Sequence, residues 1–95
     1  MFHIANFDGV ETQSLSVDST GASFATFAGG IQAASFACET NDVFVDFDQP
    51  ADAGSFLIKK DVTHDQINFG KANVQKIYAK TASSTATLYI LGVRG

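Results

Sequence analysis

The pattern that most narrows the fold is a two-residue alternation of apolar and polar side chains that recurs along the chain. In "DVFVDFD" (42–48), Val43, Val45 and Phe47 share one face while Phe44, Asp46 and Asp48 share the other. That is the period of an extended strand with one face buried. "SFLIKK" (55–60) sets Phe56 and Ile58 together ahead of two lysines, and "QINFG" (66–70) pairs Ile67 with Phe69 before a glycine. "VQKIYAK" (74–80) places Gln75, Ile77 and Ala79 opposite Val74, Tyr78 and Lys80. "TATLYILGV" (85–93) places Ala86, Leu88 and Ile90 opposite Thr87, Tyr89 and Leu91. Ala82-Ser83-Ser84 between these two runs has turn chemistry, so residues 76–92 read as a hairpin whose Ser and Thr hydroxyls satisfy local backbone groups.

The first half offers three more candidate strands, "VETQSLSV" (10–17), "ASFATFA" (22–28) and "IQAASFACE" (31–39). Asp18-Ser19-Thr20-Gly21, Gly29-Gly30 and Thr40-Asn41-Asp42 separate the segments, and each is rich in turn-forming residues. Alanine is frequent in "FAGGIQAASFA", yet the glycine pair and the β-branched and aromatic neighbours oppose a helix there. Pro50 sits in "DQPADAG", a loop between two strands. The expectation is one all-β domain over residues 1–95, a small antiparallel β-sandwich, jelly-roll-like, of about seven to eight strands.

A chain of 95 residues, 45% apolar and 17% charged, has the composition of a soluble globular domain. Apolar runs are too interrupted for a membrane span of roughly 20 residues. "MFHIANFDGVE" reaches an acid by Asp8, so no signal peptide is expected. Ten acidic against six basic residues leave a net charge of −4, which disfavours nucleic acid as a partner. Every Lys and Arg (Lys59, Lys60, Lys71, Lys76, Lys80 and Arg94) lies in the second half.

Sites for chemistry are weak. Asp61, His64 and Asp65 in "DVTHDQ" form the one stretch with three ionisable groups close together, but one imidazole and two carboxylates make poor metal spacing, and a solvated turn is the simpler reading. Asp42, Asp46, Asp48 and Asp52 do not match the spacing of an EF-hand, and Asp46 and Asp48 fall in a strand pattern. His3 lacks a partner in sequence. The chain has no G-x-S-x-G elbow, "AGG" (28–30) is too short to cradle phosphate, and Cys38, between apolar neighbours, reads as a small buried hydrophobe. No cofactor, no metal and no catalysis are expected.

Nine phenylalanines are a heavy load for so thin a core. The surplus points to surfaces that another chain covers. Phe44, on the face of Asp46 and Asp48, is one candidate, and Tyr78 and Tyr89 are others. Phe2, Ile4 and Phe7 crowd the first seven residues, so that residues 1–8 are either a docked N-terminal arm or the first strand of the sandwich.

From "NDVFVDFDQPADAGSFLIKK" through "VQKIYAKTASSTATLYILGVRG", the second half resembles small structural proteins of tailed bacteriophages. Those proteins often end in an apolar "I.A.A" strand, a small-residue turn and a "TATL.I" strand. The matching positions are Ile77, Ala79, Ser83, Ser84, Thr85, Ala86, Thr87, Leu88 and Ile90, and the first 40 residues take no part. The resemblance implies a virion component assembled in the host cytoplasm: a capsid decoration or cement protein, or alternatively a neck, tail or head-fibre part. It also implies other virion proteins as partners, the major capsid protein first among them, and a homo-oligomer with three copies favoured. A carbohydrate- or receptor-binding module is the reading from a different class, though the chain has no Trp and only two Tyr for an aromatic platform.

Overall fold

The computed structural model describes residues 10–69 and 73–94, with the side chains of all of these except 64–66. Among the described residues there are eight strands: β1 (Val10–Val17), β2 (Ser23–Ile31), β3 (Ala33–Glu39), β4 (Val43–Phe47), β5 (Phe56–Ile58), β6 (His64–Asn68), β7 (Val74–Lys80) and β8 (Ala86–Val93). They form two four-stranded antiparallel sheets, ordered β1-β8-β3-β6 and β2-β7-β4-β5. The alternation in the sequence therefore folds as the all-β sandwich it predicts.

The strand order is that of a jelly roll. β1 lies beside β8, β2 beside β7, β3 beside β6 and β4 beside β5, like one long hairpin rolled into two layers. The register follows the same scheme. Val43 faces Ile58 near the tip of this hairpin, Ser23 faces Ala79 further out, and Val10 faces Val93 at its open end.

Of the connections, only β4–β5 stays within a sheet; every other one crosses between sheets. This corrects the hairpin expected at 76–92. β7 and β8 belong to different sheets, and residues 81–85 carry the chain across the sandwich. A small polar turn between two alternating runs suits either connection, so the pattern does not separate them. The local chemistry is as read. Buried Thr81 donates its hydroxyl to the Ser84 carbonyl at 2.7 Å, its N–H reaches the Asp18 carbonyl at 2.9 Å, and Ser84 takes a left-handed φ of 66°.

Gly29-Gly30 is also not the break it resembles. Both glycines lie inside β2, with φ of 80° and 82°. Between the pairs Thr26↔Lys76 and Ile31↔Val74, β2 spends more residues than β7, so the glycines form a bulge that bends the strand. The chain then changes sheets at Gln32, whose N–H donates to Val93 O and whose carbonyl accepts from Phe69 N–H, both at 2.8 Å. The same irregularity buries Val74 alongside Ile77 and leaves Gln75 exposed, against the simple alternation expected for β7.

The core lies between the sheets around Phe27, Ile31, Phe36, Ile58, Ile77 and Leu88, all fully buried. Phe27 and Phe36 are the two fully buried phenylalanines among the described residues. Phe47 and Phe69 pack partly against the core, Phe44 is half-buried, and Phe24 and Phe56 are exposed. One edge is closed by polar groups. Inward-facing Gln13 on β1 donates to Glu11 Oε2 at 2.6 Å and to the Thr26 carbonyl at 2.7 Å, while Arg94 binds Glu11 and donates to the Ala28 carbonyl at 3.2 Å. These bonds tie β1 and the end of β8 to β2 across the gap between the sheets.

Candidate interaction surface

Alternation on β1, β8 and β3 sends one set of residues outward, and the register stacks them into rows. Across the sheet run Val10–Val93–Ala33, then Thr12–Leu91–Ser35, then Ser14–Tyr89–Ala37, then Ser16–Thr87–Glu39. The central strand carries the large side chains and its neighbours carry small ones. Tyr89, Leu91 and Val93 therefore stand as a ridge, with Ala33, Ser35 and Ala37 as a trough beside it. Val10, Tyr89, Leu91 and Val93 are each more than a third exposed, and together they are most of the exposed large apolar side chains among the described residues. A shallow concavity of about 410 Å³ opens on this face, bordered by Thr12, Ser35, Ala37, Thr63, Tyr89 and Leu91.

Glu39 is the one charged residue in these rows. Its carboxylate accepts the Tyr89 hydroxyl at 2.7 Å, a bond that raises the phenol's pKa because the protonated form is the donor. The bond fixes the Tyr89 side chain from its tip and leaves its ring beside the trough.

Phe44 and Tyr78, the other described candidates, lie together on the outer face of the opposite sheet, where Phe44 pairs with Lys80 and Tyr78 with Asp46. Phe24 joins them, its ring 5.2 Å from that of Tyr78, with Lys76 Nζ 4.9 Å above it. Loop 48–55 folds back over part of this face. Asp46 holds the loop by accepting from Gln49 Nε2 at 3.0 Å and Ser55 Oγ at 2.9 Å, and buried Ala51 abuts Gly21 so closely that a Cβ there would lie 2.6 Å from Ala51 O. Burial disfavours ionisation of Asp46, but bonds from Phe47 N–H, Gln49 and Ser55 outweigh it and hold the carboxyl below its ordinary range. The candidate residues thus separate onto two faces that look in opposite directions. Phe2, Ile4 and Phe7 lie outside the described residues.

The remaining acids serve the backbone. Asp42 accepts Lys60 N–H at 2.8 Å and pairs with Lys59 at 3.4 Å, Asp48 accepts from both Gln75 and Lys76 N–H, and Asp52 accepts Gly54 N–H at 2.8 Å. Asp61 occupies a left-handed turn, with its N–H on the Cys38 carbonyl at 3.0 Å, whereas the backbones of His64 and Asp65 belong to β6. Among the described residues no group of three or more His, Cys, Asp or Glu is placed to hold a metal. Cys38 is buried, its thiol donating to Ile58 O at 3.4 Å. Burial, followed by the negative charge of Asp42, pushes its pKa up. No helix of the described residues is long and apolar enough to cross a membrane.

Leu91, Val93, Val10 and Phe24 were not singled out by the sequence as surface candidates. The signal for the first two was present in "TLYILGV", which is apolar on both faces of its strand. Set against family models, curated proteins and solved structures, the chain finds no match in any of the three comparisons.

Proposed function

We propose that this chain is a non-enzymatic structural protein of a tailed-bacteriophage virion, a capsid decoration or cement protein that binds the major capsid protein and braces the shell. The observation that carries the reading is the apolar ridge and trough on the outer face of β1-β8-β3, a surface suited to being covered by another folded chain. The jelly-roll order agrees with it, since viral capsid domains use that architecture, as do lectins and cupins. The fold alone does not choose among these; the likeness of the second half to phage structural proteins supplies the choice. A brace works by mass action, because a protein that binds the assembled shell and not its separated subunits stabilises the shell.

The test mixes purified protein with empty capsids of the parent phage, sediments the particles and counts bound copies, then heats decorated and bare particles in parallel. Retention with a raised disruption temperature is expected. No retention at micromolar protein would sink the proposal, and selective binding to a glycan array in its place would favour a carbohydrate-binding module. Removing residues 1–8 in the same assay separates a docked arm from a first strand: an arm leaves the domain's own melting unchanged but weakens retention, and a strand lowers the melting.

A further inference from the structure

We infer that the Tyr89 face is the contact between two copies of this chain, packed sheet to sheet about a two-fold axis. The relief of the face is self-complementary. A ridge of Tyr89, Leu91 and Val93 lies beside a trough of Ala33, Ser35 and Ala37, so a second copy turned over can set its ridge into the first copy's trough and receive the first ridge in its own. Sheets packed this way lie about 10 Å apart, a spacing that such side chains fill.

Charge directs the copies to the same face. The chain carries −4, so two copies repel over most of their surface. In the rows of β1, β8 and β3 the one charge is Glu39, already bonded to Tyr89 at the end of the ridge. Area is close to what a pair needs: strands of 8, 8, 7 and 5 residues, about 4.8 Å apart and rising about 3.3 Å per residue, present about 440 Å² per copy in projection. Two copies then reach about 900 Å² before the relief of the side chains is counted, near the roughly 1,000 Å² where specific interfaces begin.

Closure excludes the obvious alternative. The aromatic face with Lys76 and Lys80 is on the opposite side of the sandwich, so joining one face to the other would stack copies into an open filament. Pairing the Tyr89 face with itself closes at two. Three copies, the number the phage resemblance implies, would have to meet through sheet edges instead. The pairing rests on the covered face of the proposed function and takes the covering chain to be a second copy, which leaves the opposite face, with Phe24, Tyr78 and Lys76, for the shell. It needs no capsid, so a dimer in solution stands even where no particle binds.

Sedimentation equilibrium of the full chain from 1 to 200 μM tests it. Wild-type protein is expected to reach twice the monomer mass. Leu91→Lys places a charge on the ridge and Ala37→Glu fills the trough, both at outward positions that leave the core intact. Each should raise the dissociation constant at least 100-fold with an unchanged far-UV circular dichroism spectrum, while Phe24→Ser on the opposite face should leave it within about threefold. A monomer throughout the range, a trimer or larger species, or a dimer indifferent to both Leu91→Lys and Ala37→Glu would overturn the inference. So would a chain lacking residues 1–9 that dimerises where the full chain does not, because the chain's own N-terminal segment would then be the occupant.

Discussion

Gly92 lies against the ring of Phe27 across the sandwich, so close that a Cβ at residue 92 would sit 2.8 Å from Phe27 Cε1 and 3.1 Å from Ile31 Cγ2. β8 thus gives up a side chain at an inward position so that β2 can bury its largest one. Gly92→Ala is expected to cost about 1–3 kcal/mol through overpacking. This would appear as a lower urea midpoint with an unchanged slope. Phe27→Leu should offset part of that loss in the double variant, since the two residues share one space. An alanine variant with the wild-type midpoint would mean that the sheets separate there at no cost.

Glu11 makes the fold sensitive to acid. The Arg94 guanidinium, and after it the Gln13 amide, hold its carboxyl below the ordinary glutamate range. A depressed folded-state pKa adds stability that is fully present above the unfolded value and is lost as pH falls through the folded one. Glu11→Gln should therefore flatten the acid limb of stability against pH and lower the midpoint at neutral pH. Chemical denaturation between pH 2 and pH 7 checks this, and parallel acid limbs for the two proteins would count against it.

Cys38 is predicted to be inert until the sandwich opens. Its thiol is buried and its pKa is raised, so the reactive thiolate is scarce and shielded. Labelling with an aromatic disulfide should be slow in buffer, fast in denaturant, and should follow the unfolding curve between them. Rapid labelling of the fully folded protein would show that the β3–β5 region opens on its own.

The crossover from β7 to β8 supplies a pair of variants of opposite sign. Thr81→Val removes the hydroxyl that serves the Ser84 carbonyl inside a buried position, an expected loss of about 1–3 kcal/mol. Ser84→Gly relieves a left-handed backbone, an expected gain of about 1 kcal/mol. Thermal melts of the two variants should move in opposite directions, and a common direction would contradict the turn geometry.

Most of the strands were legible because burial on one face writes a period of two into the sequence, and β1, β4 and β7 lie within the bounds read for them, although Val74 and Gln75 break the period in β7. Sheet membership was not legible. "KIYAKTASSTATLYILG" has the same local pattern whether its strands pair with each other or with distant partners, and the partners of β7, in β2 and β4, and of β8, in β1 and β3, all lie at least 30 residues away, the nearest pair being Phe47 and Ile77. Gly29-Gly30 misled for a related reason, since a bulge and a turn both ask for positive φ. Of the candidate surface, Tyr89, Tyr78 and Phe44 were legible as apolar residues on half-polar faces. The grouping of Tyr89 with Leu91, Val93 and Val10, and its separation from the other two, depends on which sheet each strand joins.

The rolled-hairpin register also dictates an order of assembly. Pairing β4 with β5 closes only the short loop 48–55, and each pair further out is brought within reach by the one before it, so the chain can zip from its middle toward its ends. β1 and β8 are the last to meet and the first to part, and they carry Val10, Tyr89, Leu91 and Val93. A chain stalled halfway has no ridge to present. Amide exchange should show β1, at the edge of its sheet, opening below the global unfolding free energy and β4 at it, which would make contact through this face a check that folding has been completed.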